Sequence, residues 1–231
     1  MTTETRGTKV PQLGAGDYWS CPRMWHGETV FVVGNGASLR FFDPARLARR
    51  RVIAVNSAVR AVRSFFNVLF FGDAKWYWLN RLLVNSLMSA GHPCVSLSRY
   101  WVDDDGWRRE QPLGPEIGVR IMRQAGVKGL AKSPDALCWN RSSGGAAVDL
   151  AVHLGAARVV LVGYDMQPGE HAEHVEGEKL VSDTSDMEHM AGIGLWTQIM
   201  QAADARGIEL VNATENSALP IVPCIKMEEV L

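Results

Sequence analysis

Short, unbroken apolar runs alternate with longer segments of mixed polarity along most of the chain. Residues 29–33 (TVFVV), 52–55 (VIAV), 68–71 (VLFF), 94–97 (CVSL), 158–162 (RVVLV) and 208–211 (IELV) are rich in β-branched and aromatic side chains. Runs of this length, closed by Gly, Asn, Asp or Pro, predict strands covered on both faces. Between them the period changes. Asp43 and Pro44 read as an N-cap followed by proline at the first position of a short helix to Arg49. A helix rich in aromatics is predicted over 74–89, ended by Gly91 and Pro93. Ser142 and Ser143 can cap a helix whose Ala147, Leu150, Ala151 and Leu154 share one face, with Gly155 at its end. A last helix is predicted over 186–206, with Met187, Met190, Trp196, Ile199 and Ala203 as its buried stripe. Strand and helix in alternation imply an α/β, Rossmann-like fold: a mainly parallel sheet with helices on both faces.

The periodicity fails at about 98–140, where prolines, glycines and the run DDDGW (103–107) show no helical stripe. This stretch reads as an irregular insertion, either a surface loop or a small subdomain beside a ligand site. No internal repeat is visible. Residues 25–231 are therefore read as a single α/β domain, preceded by an N-terminal extension over 1–24.

In parallel sheets of this kind ligands bind outside the carboxyl ends of the strands. The first strand runs into Gly34, Asn35, Gly36, Ala37 and Ser38, a small-residue turn whose N–H groups are suited to a phosphate. It lacks the Lys-Ser/Thr of a P-loop, and Leu39 stands where a dinucleotide fingerprint has its third glycine. A tight turn with no ligand is the competing reading. The later strands end at Asn56, at Gly72 and Asp73, at Gly163, Tyr164 and Asp165, and at Asn212. Five such ends favour a nucleotide-binding domain.

Composition narrows the function classes. The 231 residues are 47% hydrophobic and 21% charged, with a net charge of −1, so bulk binding of polyanions is disfavoured. Arg46, Arg49, Arg50 and Arg51 cluster, and solvated surface is their preferred reading. Cys21, Cys94, Cys138 and Cys224 form no CxxC pair, which argues against a zinc ribbon and a disulfide framework. No run approaches the roughly 20 apolar residues of a membrane span, and the first residues lack the apolar core of a signal peptide. A cytoplasmic location is the expectation.

VVGNGASL, a strand ending at Asn56, FFGDAKWY, and SSGGAAVDLAVHLGAARVVLVGYDM together resemble a family that includes motility accessory factors, archaeal pterin diphosphokinases and phage proteins. More distantly, they are similar to small bacterial sialyltransferases, with a GNGPSL-type turn, an SGxxxxxxAxxLG helix and a G-I/Y-D strand end. The resemblance covers about 25–218 and implies a GT-A-like form of the fold. It also implies a transferase with a cytidine-type nucleotide or nucleotide-sugar donor. The donor-binding candidates it marks are Gly34, Asn35, Gly36, Ser38, Asn56, Asp73, Ser142, Ser143, Gly144 and Tyr164. Ala37 departs from the proline usual in the turn. Asp73 replaces an asparagine, which fits a metal-bound diphosphate better than a bare monophosphate, so magnesium through Asp73 and Asp165 is a further expectation.

The sialyltransferase base is a histidine in the loop after the Asp-bearing strand. His171, His174 and His189 occupy that region here, with Asp165 as a further catalytic candidate. The first two lie in GEHAEHVEGE, whose spacing is not that of a zinc motif. Three functions stay open. The first is sugar transfer from a nucleotide donor to a hydroxyl acceptor on a glycan, protein or modified nucleic acid. The second is ATP- and magnesium-dependent diphosphoryl transfer to a pterin-like hydroxymethyl compound. The third is a non-catalytic nucleotide-binding or phage-associated interaction module, in which Trp76, Trp78, Trp101 and Trp107 would form a contact surface, and a homo-oligomer is compatible with each of the three.

Overall fold

The computed structural model describes residues 18–72, 74–97, 113, 117–166, 193–219 and 221–231. Its strands are β1 (Thr29–Val33), β2 (Arg51–Val55), β3 (Val68–Phe71), β4 (Cys94–Ser96), β5 (Val119–Ile121), β6 (Arg123–Gly126), β7 (Ala136–Cys138), β8 (Arg158–Val162) and β9 (Glu209–Asn212). Seven form one sheet in the order β5-β4-β3-β2-β1-β8-β9, and every pairing within it is parallel. The order runs outward from β1 in one direction and resumes with β8 on its other side. The switch point of the sheet therefore lies between β1 and β8.

The helices are α1 (Ala58–Ala61), α2 (Ala74–Leu79), α3 (Arg81–Ser89), α4 (Ser143–His153) and α5 (Ile193–Asp204). Because side chains alternate along a strand, each central strand supplies both faces of the sheet. Val30, Val32, Ile53 and Phe70 pack with Leu150 of α4 and with Trp196 and Ile199 of α5. Phe31, Val33, Ala54 and Phe71 pack with Val59, Tyr77 and Leu87 on the other side. Each large apolar side chain so buried contributes about 1.5–3 kcal/mol relative to exposure. The α/β reading holds, with helices on both faces.

Three local expectations change. The helix predicted over 44–49 is a single 3-10 turn, Pro44–Leu47, although Asp43 does cap it by accepting the Ala45 N–H at 2.9 Å. The helix predicted over 74–89 is broken at Asn80, where the main-chain N–H (3.1 Å) and the side-chain amide (2.9 Å) both donate to Trp76 O. The supposedly irregular 98–140 stretch contributes β5 as an edge strand and the separate parallel pair β6–β7. These strands are three or four residues long, too short to show a period. The run at 103–107, with Trp101 and Trp107, lies outside the described residues. Among the described residues no helix is long and apolar enough to cross a membrane.

The α4 helix fixes this small ribbon through Asp149, whose buried Oδ2 accepts the N–H groups of Ala131 (2.9 Å) and Cys138 (2.7 Å). One turn on, His153 Nε2 stands 3.5 Å from Asp149 Oδ1. Burial pushes Asp149 up to about 7 against the pull of those two N–H groups. Burial, then the nearby Arg206 charge, pushes His153 down to about 4. In an unfolded chain the two groups titrate near about 3.9 and 6.5.

The signs oppose. The raised Asp149 contributes stability that is full below about pH 3.9 and is lost as pH rises through about 7, whereas the lowered His153 contributes stability that is full above about 6.5 and is lost as pH falls through about 4. Across roughly pH 4 to 6.5 the pair therefore holds one proton in both states, and its contribution is flat. Relative to the parent chain, Asp149→Asn should gain stability as pH rises through that window, and His153→Gln should lose it. Urea midpoints measured across the window test this, and parallel profiles for all three chains would refute the pairing.

Candidate active site

The carboxyl ends of β1 and β8 are laced together past the last paired residues, Val33 and Val162. Gly34 N–H donates to Val162 O and Gly36 N–H to Gly163 O, both at 2.8 Å. Asp165 then accepts Ser38 N–H on Oδ1 at 3.0 Å and the Ser38 hydroxyl on Oδ2 at 2.8 Å. The small residues follow from this approach. A Cβ on Gly36 would stand 1.6 Å from Asp165 Oδ2 and 2.6 Å from Gly163 O. Gly163 itself has φ +70°, a left-handed conformation that favours glycine, and its hydrogen faces Leu39.

This lacing alters what the turn can offer a phosphate. Of its N–H groups, those of Gly34, Gly36 and Ser38 already have protein acceptors, and only those of Asn35 and Ala37 are left among the described residues. A carboxylate also stands at the far end of the turn. The glycines are accounted for by packing against β8.

A different set of groups is unsatisfied. The β1–β2 register ends with Val33 against Ala54, and Asn35 and Asn56 follow within two residues at the carboxyl ends of these neighbouring strands. Both amide oxygens are buried without a hydrogen-bond partner. Asn56 also takes a left-handed φ of +50° while its N–H donates to Phe70 O. Buried polar atoms are nearly always paired, and of the unpaired ones these two stand at the carboxyl ends of neighbouring strands, where a ligand partner could reach them.

The N-terminus of α4 lies over the same strand ends. Ser142 Oγ accepts Gly145 N–H at 2.9 Å as the helix cap, and Ser143 Oγ accepts Gly72 N–H at 3.2 Å at the end of β3. Tyr164, at the end of β8, donates its hydroxyl to Gly144 O at 3.1 Å. Tied to β3 on one side and β8 on the other, α4 brings the Ser143 and Gly144 N–H groups, which have no intrahelical acceptor, over β1 and β2. The helix dipole adds positive potential there. Tyr164 is 2% exposed and its phenol is pushed far up by burial, so it supports this helix from beneath.

The remaining candidates separate. Asp73, His171, His174 and His189 lie outside the described residues. Asp165 has both oxygens engaged with Ser38, and the described residues hold no cluster of three or more His, Cys, Asp or Glu side chains suited to a metal. Asn212 stands at the end of β9 as expected, fully buried, and its Oδ1 accepts Thr214 N–H at 3.0 Å. Trp76 donates to Ser57 Oγ, and Trp76 and Trp78 both pack on the core. The basic cluster is largely paired at the surface, with Arg46 to Glu228 at 2.6 Å, Arg51 to Glu28 at 2.8 Å and Arg50 to Leu231 O. Burial pushes Cys21 and Cys94 up to about 12, and Cys138 up to about 11, so these thiols are inert at neutral pH.

Sequence reasoning missed the loop after β9. Thr214 Oγ1 accepts Tyr164 N–H at 2.9 Å, Ser217 Oγ donates to Tyr164 O, and Ala218 N–H donates to Asp165 O at 2.7 Å. Only the polar run after the last apolar strand hinted at it.

No protein-family profile matches the chain, and no curated protein does. Among solved structures it is similar to the sialyltransferase CST-II in complex with a trisaccharide acceptor and CMP, at 12% identity, 85% coverage of each chain and a TM-score of 0.49. It is also similar to sialyltransferase CstII from Campylobacter jejuni in complex with the substrate analogue CMP-3FNeuAc, at 13% identity, 85% coverage of this chain and 84% of that one, and a TM-score of 0.45. Likeness at this level does not assign chemistry, which rests on the residues above.

The Asp165 contact can be weighed directly. Asp165→Ala should lower unfolding stability by about 1.5–3 kcal/mol, the usual worth of hydrogen bonds to a charged group, with Asp165→Asn intermediate. Gly36→Ala should cost more, since its methyl group collides with both Asp165 and the Gly163 carbonyl. Denaturant unfolding checks the series, and a Gly36→Ala chain as stable as the parent would refute the lacing.

Proposed function

We propose that the chain is a nucleotide-sugar-dependent transferase of glycosyltransferase type, with a cytidine-type donor lying across the carboxyl ends of β1 and β2. The observation that carries this reading is the pair of orphaned amide oxygens at Asn35 and Asn56 beneath the N-terminus of α4. Amide groups in such positions are suited to ribose hydroxyls and the exocyclic amine of a base. The donor phosphate then meets the Ser143 and Gly144 N–H groups and the positive helix end. Asp165 has its carboxylate taken up by Ser38, so the phosphate is assigned to the α4 N-terminus and not to the turn.

In the transfer, the bond between the sugar anomeric carbon and the phosphate oxygen breaks as a new bond forms to the acceptor oxygen. The acceptor proton passes to a base, and the nucleotide leaves with the electron pair. The helix N-terminus offsets the charge that develops on the leaving phosphate, an electrostatic role that needs no proton. His174, His171 and His189 are the proposed bases, by sequence position alone. Asp165 acts by holding the turn that carries Asn35.

Calorimetric titration of the full chain with CMP, CDP, UDP and GDP tests the donor site. Cytidine nucleotides should bind most tightly, and Asn56→Ala should weaken them by about tenfold, the equivalent of one hydrogen bond of about 1.4 kcal/mol. Failure of all four nucleotides to bind would end this reading.

A further inference from the structure

The opposite end of the sheet holds a cavity of about 650 Å³ with no evident part in donor binding. Gly27, Ala157 and Ile208, which line it, precede β1, β8 and β9, so it opens at their amino ends. β1 alone, at about 3.3 Å per residue, puts roughly 16 Å between this end and the Asn35 turn. The charged and titratable side chains lining the cavity are Arg23, His26, Lys132, His153 and Arg206, with no carboxylate among them. In a chain of net charge −1, that is a marked local excess of positive charge.

The nearby surface carboxylates do not neutralise it, and Asp149, 3.5 Å from His153, is buried, which pushes its carboxyl up to about 7. Glu28 pairs with Arg51 at 2.8 Å, Asp135 with Arg123 at 3.4 Å, and Glu209 with Arg158 at 2.5 Å. Among the described residues, Arg23, Lys132 and Arg206 have no carboxylate partner. The wall is also fixed by main-chain bonds. Trp25 N–H donates to Leu154 O (2.7 Å) and Gly27 N–H to Gly155 O (2.9 Å), which anchors the segment bearing Arg23 and His26 to the end of α4. Arg206 donates through one terminal nitrogen to Leu130 O (3.1 Å) and Ala131 O (2.8 Å), which orients its guanidinium and anchors the residue before Lys132. Compensation of helix C-termini accounts for His153 and Arg206, at the ends of α4 and α5. It does not account for Arg23, His26 and Lys132, which come from two other segments.

We propose that this cavity is a second binding site, for a small molecule bearing a phosphate or diphosphate group, held by Arg23, Lys132 and Arg206 together with His26. Guanidinium and ammonium donors converging on one cavity match phosphate oxygens in geometry and charge. The site is independent of the donor reading, because it shares no residue with it. The probe is inorganic pyrophosphate titrated calorimetrically into the full chain, the Arg23→Gln/Lys132→Gln double variant, and Asn56→Ala. Both substituted cations are exposed, so the double variant should fold as the parent does. Saturable binding to the parent and to Asn56→Ala, weakened about tenfold or more in the double variant, is the expected result. Absence of saturable binding to the parent would overturn the proposal, as would equal affinity in the double variant, which would show that Arg23 and Lys132 do not hold the anion. Binding lost in Asn56→Ala but kept in the double variant would place the anion at the other end of the sheet and also overturn it. Binding of a single-stranded oligonucleotide without binding of pyrophosphate would reject the small-molecule class.

Discussion

The carboxylate of Asp165 against the N–H and hydroxyl of Ser38 is the contact on which the arrangement of the candidate site depends. A parallel sheet ends its hydrogen bonding where its strands diverge, and here β1 and β8 stay bonded past their last paired residues through the Gly34 and Gly36 N–H groups. The paired donors of Ser38 carry the lacing two residues beyond Gly36. This holds the turn flat on the end of β8 and fixes the direction in which Asn35 leaves β1. The Ser142 cap, the Ser143 contact to Gly72 and the Tyr164 contact to Gly144 set α4 over that point from the other side. The site is thus framed by hydrogen bonds among small polar groups, with the apolar faces of the sheet fixing only its general position.

A phosphate cradle and a packing turn draw on the same residues, and this turn separates the two uses. A cradle needs free N–H groups and no nearby negative charge. Gly34, Gly36 and Ser38 have already donated theirs, and Asp165 supplies a negative charge. The free donors lie across the strand ends at the start of α4, where the dipole reinforces them. On the proposed reading, a donor nucleotide lies with its nucleoside toward the asparagines and its phosphate toward the helix.

The central strands were legible because burial on both faces leaves an apolar run that few other structures produce. Ser142 was legible as a cap, and the polar strand ends were legible as a group. Other features were not, for identifiable reasons. Val119–Ile121 alternates with a partly exposed Arg120 over three residues, too few to establish a period. The break at Asn80 leaves the main-chain bond to Trp76 O intact, and no local pattern announces it. The glycines of the turn signal close approach without saying to what, since a ligand and the end of β8 require the same missing Cβ. Asp165 reads equally as a metal ligand, a base or a clamp until the position of Ser38, over a hundred residues away in sequence, is known.

The two ends of the sheet also differ in how they treat charge, and this bears on how the chain can work. At the carboxyl ends the carboxylate of Asp165 is consumed internally, and the positive potential comes from main-chain dipoles, which are weak individually but cannot be screened by moving away. At the amino ends the positive potential comes from side chains anchored through their neighbours' main-chain bonds, and adjacent acids are already paired with other arginines. Fixed dipoles suit a charge that develops during a reaction, because nothing need reorganise when it appears. Long cationic side chains suit a charge that arrives already formed, because their reach raises capture and their entropy is spent on binding alone. On these grounds the two proposed sites divide the work, with chemistry at the carboxyl end and recognition at the amino end.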